Sequence, residues 1–111
     1  MVEMSFEVGA NNLVQEDLPV ALETAGMEDS ACRMRSINAC EYARAAETLE
    51  VILKDAEEVL PPAKYELVSE FVFWALAALW AAVAGAEASF TYALARYKRA
   101  VDGWWSANLL Q

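Results

Sequence analysis

The chain has 111 residues, the usual size of one folded domain, so we expect a single domain over residues 1–111. Hydrophobic residues make up 58% of the chain, against about 45–50% in typical soluble proteins, and this share excludes disorder. Because 22 residues are alanine, which favours helices, we expect an all-α fold. The net charge of −9 argues against binding to nucleic acid, and the absence of histidine excludes histidine triads, histidine-ligated metals and histidine-ligated haem.

The negative charge lies mainly at the start of the chain. The first 30 residues contain seven acidic and no basic residues, whereas residues 64–111 contain four of each. We therefore distinguish an acidic N-terminal arm, residues 1–27, from a helical hairpin with a tryptophan-containing tail, residues 28–111. A basic protein partner is expected to bind these acidic residues: Glu3, Glu7, Glu16, Asp17, Glu23, Glu28 and Asp29.

Residues 1–8 alternate between apolar and polar side chains. A period of two is typical of a strand with one covered face. No other segment alternates in this way, so no second strand is predicted to pair with it. We expect an extended arm packed on the helices, with pairing to the sheet edge of a partner as the alternative.

A short helical stretch is predicted after this arm. Asn12 and Gln15 fit the two ends of a capping box, so the helix is expected to begin at Leu13. Pro19 interrupts it, and Gly26 ends the turn that follows.

The first long helix is predicted over about residues 29–60, because Pro61 disfavours the helical conformation for the residue before it. Its apolar side chains recur at spacings of four and three, which is typical of a helix with one buried face. Arg35 and Asn38 interrupt this apolar face.

The second long helix is predicted over about residues 63–101, with Pro62 preceding it and Asp102 and Gly103 ending it. Gly85 is the one position where a kink is expected. Because the corner between the long helices is short, they should form an antiparallel hairpin. The second helix carries an apolar heptad stripe: Val72, Leu76, Leu79, Val83, Ala86, Phe90, Ala93, Tyr97 and Ala100.

The same helix raises the question of a membrane. Sixteen consecutive residues, 71–86, carry no charge, and the apolar run extends to Ala95 with Glu87 inside it. A single membrane span through Phe71–Ala95 is the alternative to a helix buried in a soluble bundle. We favour the soluble bundle because the amphipathic first helix needs a partner of this length.

A two-helix hairpin cannot cover all the aromatic side chains of the second helix. Either the N-terminal segment folds over them or a second copy of the chain does, and a homodimer forming a four-helix bundle is the simpler prediction. The expected interface residues are Phe71, Phe73, Trp74, Trp80, Trp104 and Trp105.

A buried polar layer is predicted within the hairpin. Glu87 lies 25 residues after Pro62, so it falls opposite the residues just after Arg35 and close to Asn38. We expect an ion pair between Glu87 and Arg35 with Asn38 beside it, which would fix helix register more than it would stabilise the fold.

No catalytic, cofactor-binding or metal-binding residues are predicted. The sequence has no glycine-rich phosphate loop, no nucleophile beside a base and no metal-ligand spacing. Acidic residues near the corner leave a metal-dependent hydrolase as a remote alternative. Cys32 and Cys40 are eight residues apart in a predicted helix, about 12 Å, which is too far for a disulfide.

The residues therefore favour a non-enzymatic, acidic helical module that binds a basic protein, as an inhibitor, adaptor or assembly subunit would. The first residues carry Glu3 and Glu7 and lack the basic and apolar regions of a secretory signal, so a cytoplasmic location is expected, with the membrane as the alternative.

Overall fold

The computed structural model describes residues 5–38 and 40–109, and every regular element in these ranges is helical. The all-α prediction is therefore confirmed. The elements are α1 (Ser5–Asn12), a π-helical segment (Leu13–Asp17), α2 (Leu18–Thr24), α3 (Glu28–Arg35), α4 (Tyr42–Val59), α5 (Pro62–Ala84) and α6 (Glu87–Leu109).

The predicted extended arm is wrong where the structure describes it, because residues from Ser5 onward are helical. Residues 1–4 lie outside the described residues. The alternating pattern is overridden because α1 packs against α5 and α6. The predicted helix start at Leu13 is also wrong: Asn12 has helical backbone angles and makes no side-chain cap hydrogen bond.

The predicted interruption at Pro19 takes the form of the π-helical segment just before it. Proline has no N–H, and in an α-helix its ring clashes with the carbonyl four residues earlier, here that of Gln15. In the wider turn, the Leu18 N–H donates to the Leu13 carbonyl, five residues back. The helix therefore continues through the proline instead of ending there.

Two glycines with left-handed backbones end helices, Gly26 at φ +86° and Gly85 at φ +70°. Gly26 is the predicted stop and is confirmed. At Gly85 the Ala86 N–H donates to the Ala81 carbonyl at 2.9 Å, which closes a Schellman turn. The expected kink is therefore a full end of the helix, and the predicted helix over residues 63–101 is wrong.

The predicted helix over residues 29–60 is also broken. It consists of α3, which ends at Arg35, and α4, which begins at Tyr42. Just after α3, the Ser36 hydroxyl donates to the Arg33 carbonyl at 2.7 Å. The corner at Pro61 is confirmed, since Leu60 is extended and Pro62 is the first residue of α5. The stop at Asp102 and Gly103 is wrong, because α6 continues to Leu109.

Helix α5 lies at the centre of the packing, with α4 and α6 against it and α1 contacting both α5 and α6. Ring contacts between Phe71 and Tyr97 and between Trp74 and Tyr92 show that α5 and α6 run antiparallel. The N-terminal helices thus supply part of the cover that a second chain was expected to provide. The largest fully buried side chains are Trp104, Phe71, Phe90, Leu13, Leu18, Leu22, Met34, Leu49, Ile52 and Leu79.

Candidate binding surfaces

The predicted buried polar layer is wrong. Arg35, Asn38 and Glu87 are all exposed. Arg35 ends α3 and forms two hydrogen bonds of 2.7 Å to the carboxylate of Glu23 in α2. The prediction paired Glu87 with Arg35 across the corner on the assumption of two unbroken helices. Glu87 instead lies in the first turn of α6, where its negative charge interacts favourably with the positive end of the helix dipole.

Two of the six predicted interface residues belong to the core. Phe71 is fully buried and Trp104 is 2% exposed, with their ring centroids 6.4 Å apart. The Trp104 indole N–H donates to the Thr24 hydroxyl at 3.0 Å, so α2 covers this end of α6. Assigning Phe71 and Trp104 to an interface is therefore wrong for this structure.

Aromatic side chains at the outer side of α5 and α6, together with one arginine, form a partly exposed group that we call the aromatic surface: Phe73, Trp74, Trp80, Tyr92 and Arg96. Phe73 is 53%, Trp80 39% and Tyr92 58% exposed. The Trp74 ring packs edge-on against two neighbouring rings, with centroid distances of 5.2 Å to Phe73 and 5.9 Å to Tyr92.

Arg96 joins the two helices of this surface. Its guanidinium carbon lies 5.5 Å from the ring centroids of both Trp74 and Tyr92, and its Nε donates to the Tyr92 hydroxyl at 3.2 Å. Cation–π contacts of this kind stabilise the arginine against the rings without burying its charge. The aromatic surface is thus apolar in its middle and positive at its α6 side.

A cleft of about 430 Å³ separates the N-terminal helices from α6, and we call it the tyrosine cleft. Glu16 and Asp17 of the π-helical segment line one side. Tyr97, Asp102 and the predicted interface residue Trp105 line the other. Trp105 is half-buried, so it contributes a partly exposed ring to the cleft.

The Tyr97 hydroxyl is the one buried side-chain polar atom without a hydrogen-bond partner in the described part of the chain. Tyr97 is only 2% exposed. Burial raises the pKa of its hydroxyl well above the usual tyrosine value, and the negative charge of Asp17 raises it further. The heptad stripe correctly predicts Tyr97 as a buried residue, but it gives no sign of the cleft.

The described acidic residues of the N-terminal segment are all exposed: Glu7, Glu16, Asp17, Glu23, Glu28 and Asp29. Glu3 lies outside the described residues. The hydrogen bonds from Arg35 lower the pKa of the Glu23 carboxyl, and the same contact raises the pKa of Arg35. The guanidinium group of Arg33 forms an ion pair with the carboxylate of Asp55, with 3.9 Å between nitrogen and oxygen.

Cys32 and Cys40 are both exposed and free. Among the residues that the structure describes, no three His, Cys, Asp or Glu side chains are placed to hold a metal ion.

Helix α5 is the one described helix that is long and apolar enough to cross a membrane. Core helices of soluble proteins meet the same criteria of length and composition. The predicted single span through Phe71–Ala95 does not form one helix, because the chain turns at Gly85.

Comparison of the chain with protein-family models, with curated proteins and with solved structures found no match.

Proposed function

We propose that the protein is a non-enzymatic interaction module that binds a basic protein partner through its acidic N-terminal helices. An inhibitor, an adaptor or an assembly subunit would act in this way. The supporting observation is that six carboxylates between Glu7 and Asp29 are exposed. The two arginines nearest to them in sequence already face Glu23 and Asp55, so this part of the surface keeps a negative charge.

Complementary charge speeds the encounter of two proteins and is screened by salt. We therefore expect association with the partner to be fast at low ionic strength and to slow as salt is added. Binding is expected to depend on where the carboxylates lie as well as on total charge.

The experiment compares two variants of equal charge. One neutralises carboxylates of the N-terminal helices and the other neutralises exposed carboxylates of α4, and each changes the net charge from −9 to −5 by removing four acidic groups. The first is E16Q/D17N/E28Q/D29N and the control is E47Q/E50Q/E57Q/E58Q.

Basic proteins retained by the wild-type chain at low salt are titrated against all three forms by surface plasmon resonance. The N-terminal variant should associate more slowly, while the α4 control keeps the wild-type rate. Equal slowing by both variants would mean that net charge alone is sensed, and failure to retain any basic protein would also refute the proposal.

We also propose that a second copy of the chain covers the aromatic surface. Along the outer side of α5, large rings alternate with small alanines at helical spacing, in the order Phe73, Ala77, Trp80 and Ala84. The alanines between the rings allow another helix to approach closely. An exposed apolar patch with tyrosine, tryptophan and arginine is typical of a protein interface.

Sedimentation velocity tests this dimer. The double variant F73S/W80Q should sediment as a monomer, whereas V59Q, which changes a 71% exposed valine on α4, should behave as the wild type does. A monomeric wild type over the accessible concentration range would refute the dimer.

The alternative function is that of a membrane subunit held by α5. Its support is the length and apolar composition of this helix together with the exposure of Phe73 and Trp80. Detergent-free extraction and ultracentrifugation separate the two proposals, because a membrane subunit stays in the pellet and the interaction module stays in the supernatant.

A further inference from the structure

The tyrosine cleft has the size of a ligand site. Its volume of about 430 Å³ falls within the range of about 300–1,000 Å³ that small-molecule pockets occupy. It lies where α2 and the π-helical segment meet α6, and π turns within helices are frequent at functional sites. Two parts of the chain about 80 residues apart therefore form its walls.

The charge of the cleft is negative and spread out. Glu16 and Asp17 lie on one wall and Asp102 on the other, with Lys98 as the one basic residue of the lining. In the described part of the chain, none of these four forms an ion pair within 4.0 Å. The carboxylates are not grouped to hold a metal ion, so their arrangement suits a larger cation.

The remaining lining is apolar and aromatic. Val20 and Val101 supply aliphatic surface and Trp105 supplies an indole ring, which attracts a cation at its face. Tyr97 adds a buried hydroxyl that has no partner in the described protein and can accept a hydrogen bond. An unpartnered buried hydroxyl costs free energy, so a ligand that reaches it gains more than one bound at an exposed hydroxyl.

We propose that the tyrosine cleft binds an organic cation on an apolar stem, namely a lysine or arginine side chain of the basic protein partner. The stem lies against Val20, Val101 and Trp105, while the cation lies among the three carboxylates. This proposal rests on the proposed function and names the group by which the partner is recognised.

The test uses N-acetyl-arginine amide and N-acetyl-lysine amide as probes, with N-acetyl-norleucine amide as the uncharged control of similar stem. Binding is followed by NMR through the indole N–H resonance of Trp105. The cationic probes should shift this resonance in a saturable way, and the norleucine probe should not. n-Propylguanidine, a singly charged alkylguanidine without peptide groups, should bind more weakly than N-acetyl-arginine amide.

Variants locate the bound probe. D17N should raise the Kd roughly fivefold, the equivalent of one exposed charge pair, and the Y97F variant should also raise it. The matched control E47Q, which removes the same charge from α4, should leave the Kd unchanged. Equal binding of the norleucine probe, tighter binding of n-propylguanidine, or unchanged affinity in both D17N and Y97F would overturn the proposal.

Failure here is distinguishable from failure of the proposed function. A chain that retains its basic partner but does not bind the probes keeps the proposed function and loses the cleft as the site. A chain that binds the probes at the cleft but retains no basic protein loses the proposed function.

Discussion

Replacing Tyr97 by phenylalanine tests whether the buried hydroxyl lacks a partner in the free protein. The side chain is 2% exposed and its oxygen makes no hydrogen bond in the described part of the chain. A buried polar group without a partner costs about 1–3 kcal/mol, and Y97F removes that group while keeping the ring. Because loss of one oxygen atom also leaves a small void, we expect a net gain of about 1 kcal/mol.

Thermal and urea unfolding at pH 7 measure this gain. For a domain of this size, 1 kcal/mol raises Tm by roughly 4 °C. The matched control is Y92F, since Tyr92 is 58% exposed and its hydroxyl contacts Arg96 at the surface. Y92F should leave Tm nearly unchanged. A loss of 1 kcal/mol or more in Y97F would refute the reasoning, because it would mean that the hydroxyl has a hydrogen-bond partner.

The pH dependence of the same variant gives a second readout. Burial raises the pKa of Tyr97 in the folded state, so below the unfolded value of about 10 both states are protonated and its contribution is fully present. Above about pH 10 the unfolded tyrosine ionises first, and stability is lost at up to about 1.4 kcal/mol per pH unit. Burial also raises the pKa of Tyr42, but Tyr42 is common to both proteins. The stability difference between Y97F and wild type should therefore widen above pH 10.

Further predictions concern the helix ends, the core and the thiols. Gly85→Ala should lower the free energy of unfolding by about 1–2 kcal/mol, because Gly85 has a φ of +70° that alanine adopts only with strain. Gly103→Ala should raise the free energy of unfolding by about 0.5–1 kcal/mol, because Gly103 lies inside α6 and nothing lies within 4 Å of an added β-carbon. Phe71→Ala should cost about 3–5 kcal/mol because it leaves a cavity in the core. Urea unfolding measures all three, and equal effects of the two glycine changes would contradict the left-handed turn. Cys32 and Cys40 should both react with a thiol reagent in the folded protein, and a single reacting thiol would contradict their exposure.

Helix ends with a strong local cause could be predicted from the sequence. The corner at Pro61 and the stop at Gly26 follow from backbone restrictions of single residues. Gly85 carries the same local preference as Gly26, but the heptad stripe on both sides of it favoured one long helix. The break at residues 36–41 contains no glycine or proline, and Ile37 is buried within it. Tertiary packing therefore decides that break.

The candidate sites were less accessible to prediction. The exposure of Phe73 and Trp80 follows from helical spacing alone. The prediction of a buried polar layer was wrong because placing Glu87 opposite Arg35 and Asn38 required two unbroken helices. The tyrosine cleft requires the π-helical segment to meet α6, a contact between residues about 80 positions apart. No local pattern specifies such a contact.

The π-helical segment also determines how the first helical segment tolerates changes in length. A π turn contains one residue more than the α turn that would replace it, and one residue corresponds to roughly 100° of rotation about the helix axis. In the structure, Gly9 of α1 packs against α6: a β-carbon added at Gly9 would lie 3.5 Å from the Phe90 ring. Deleting a residue between Leu13 and Asp17 would rotate α1 and turn this contact away from α6. The number of residues in this segment is therefore constrained by the packing of α1 on α6, and we expect related chains to vary here by substitution and not by insertion or deletion.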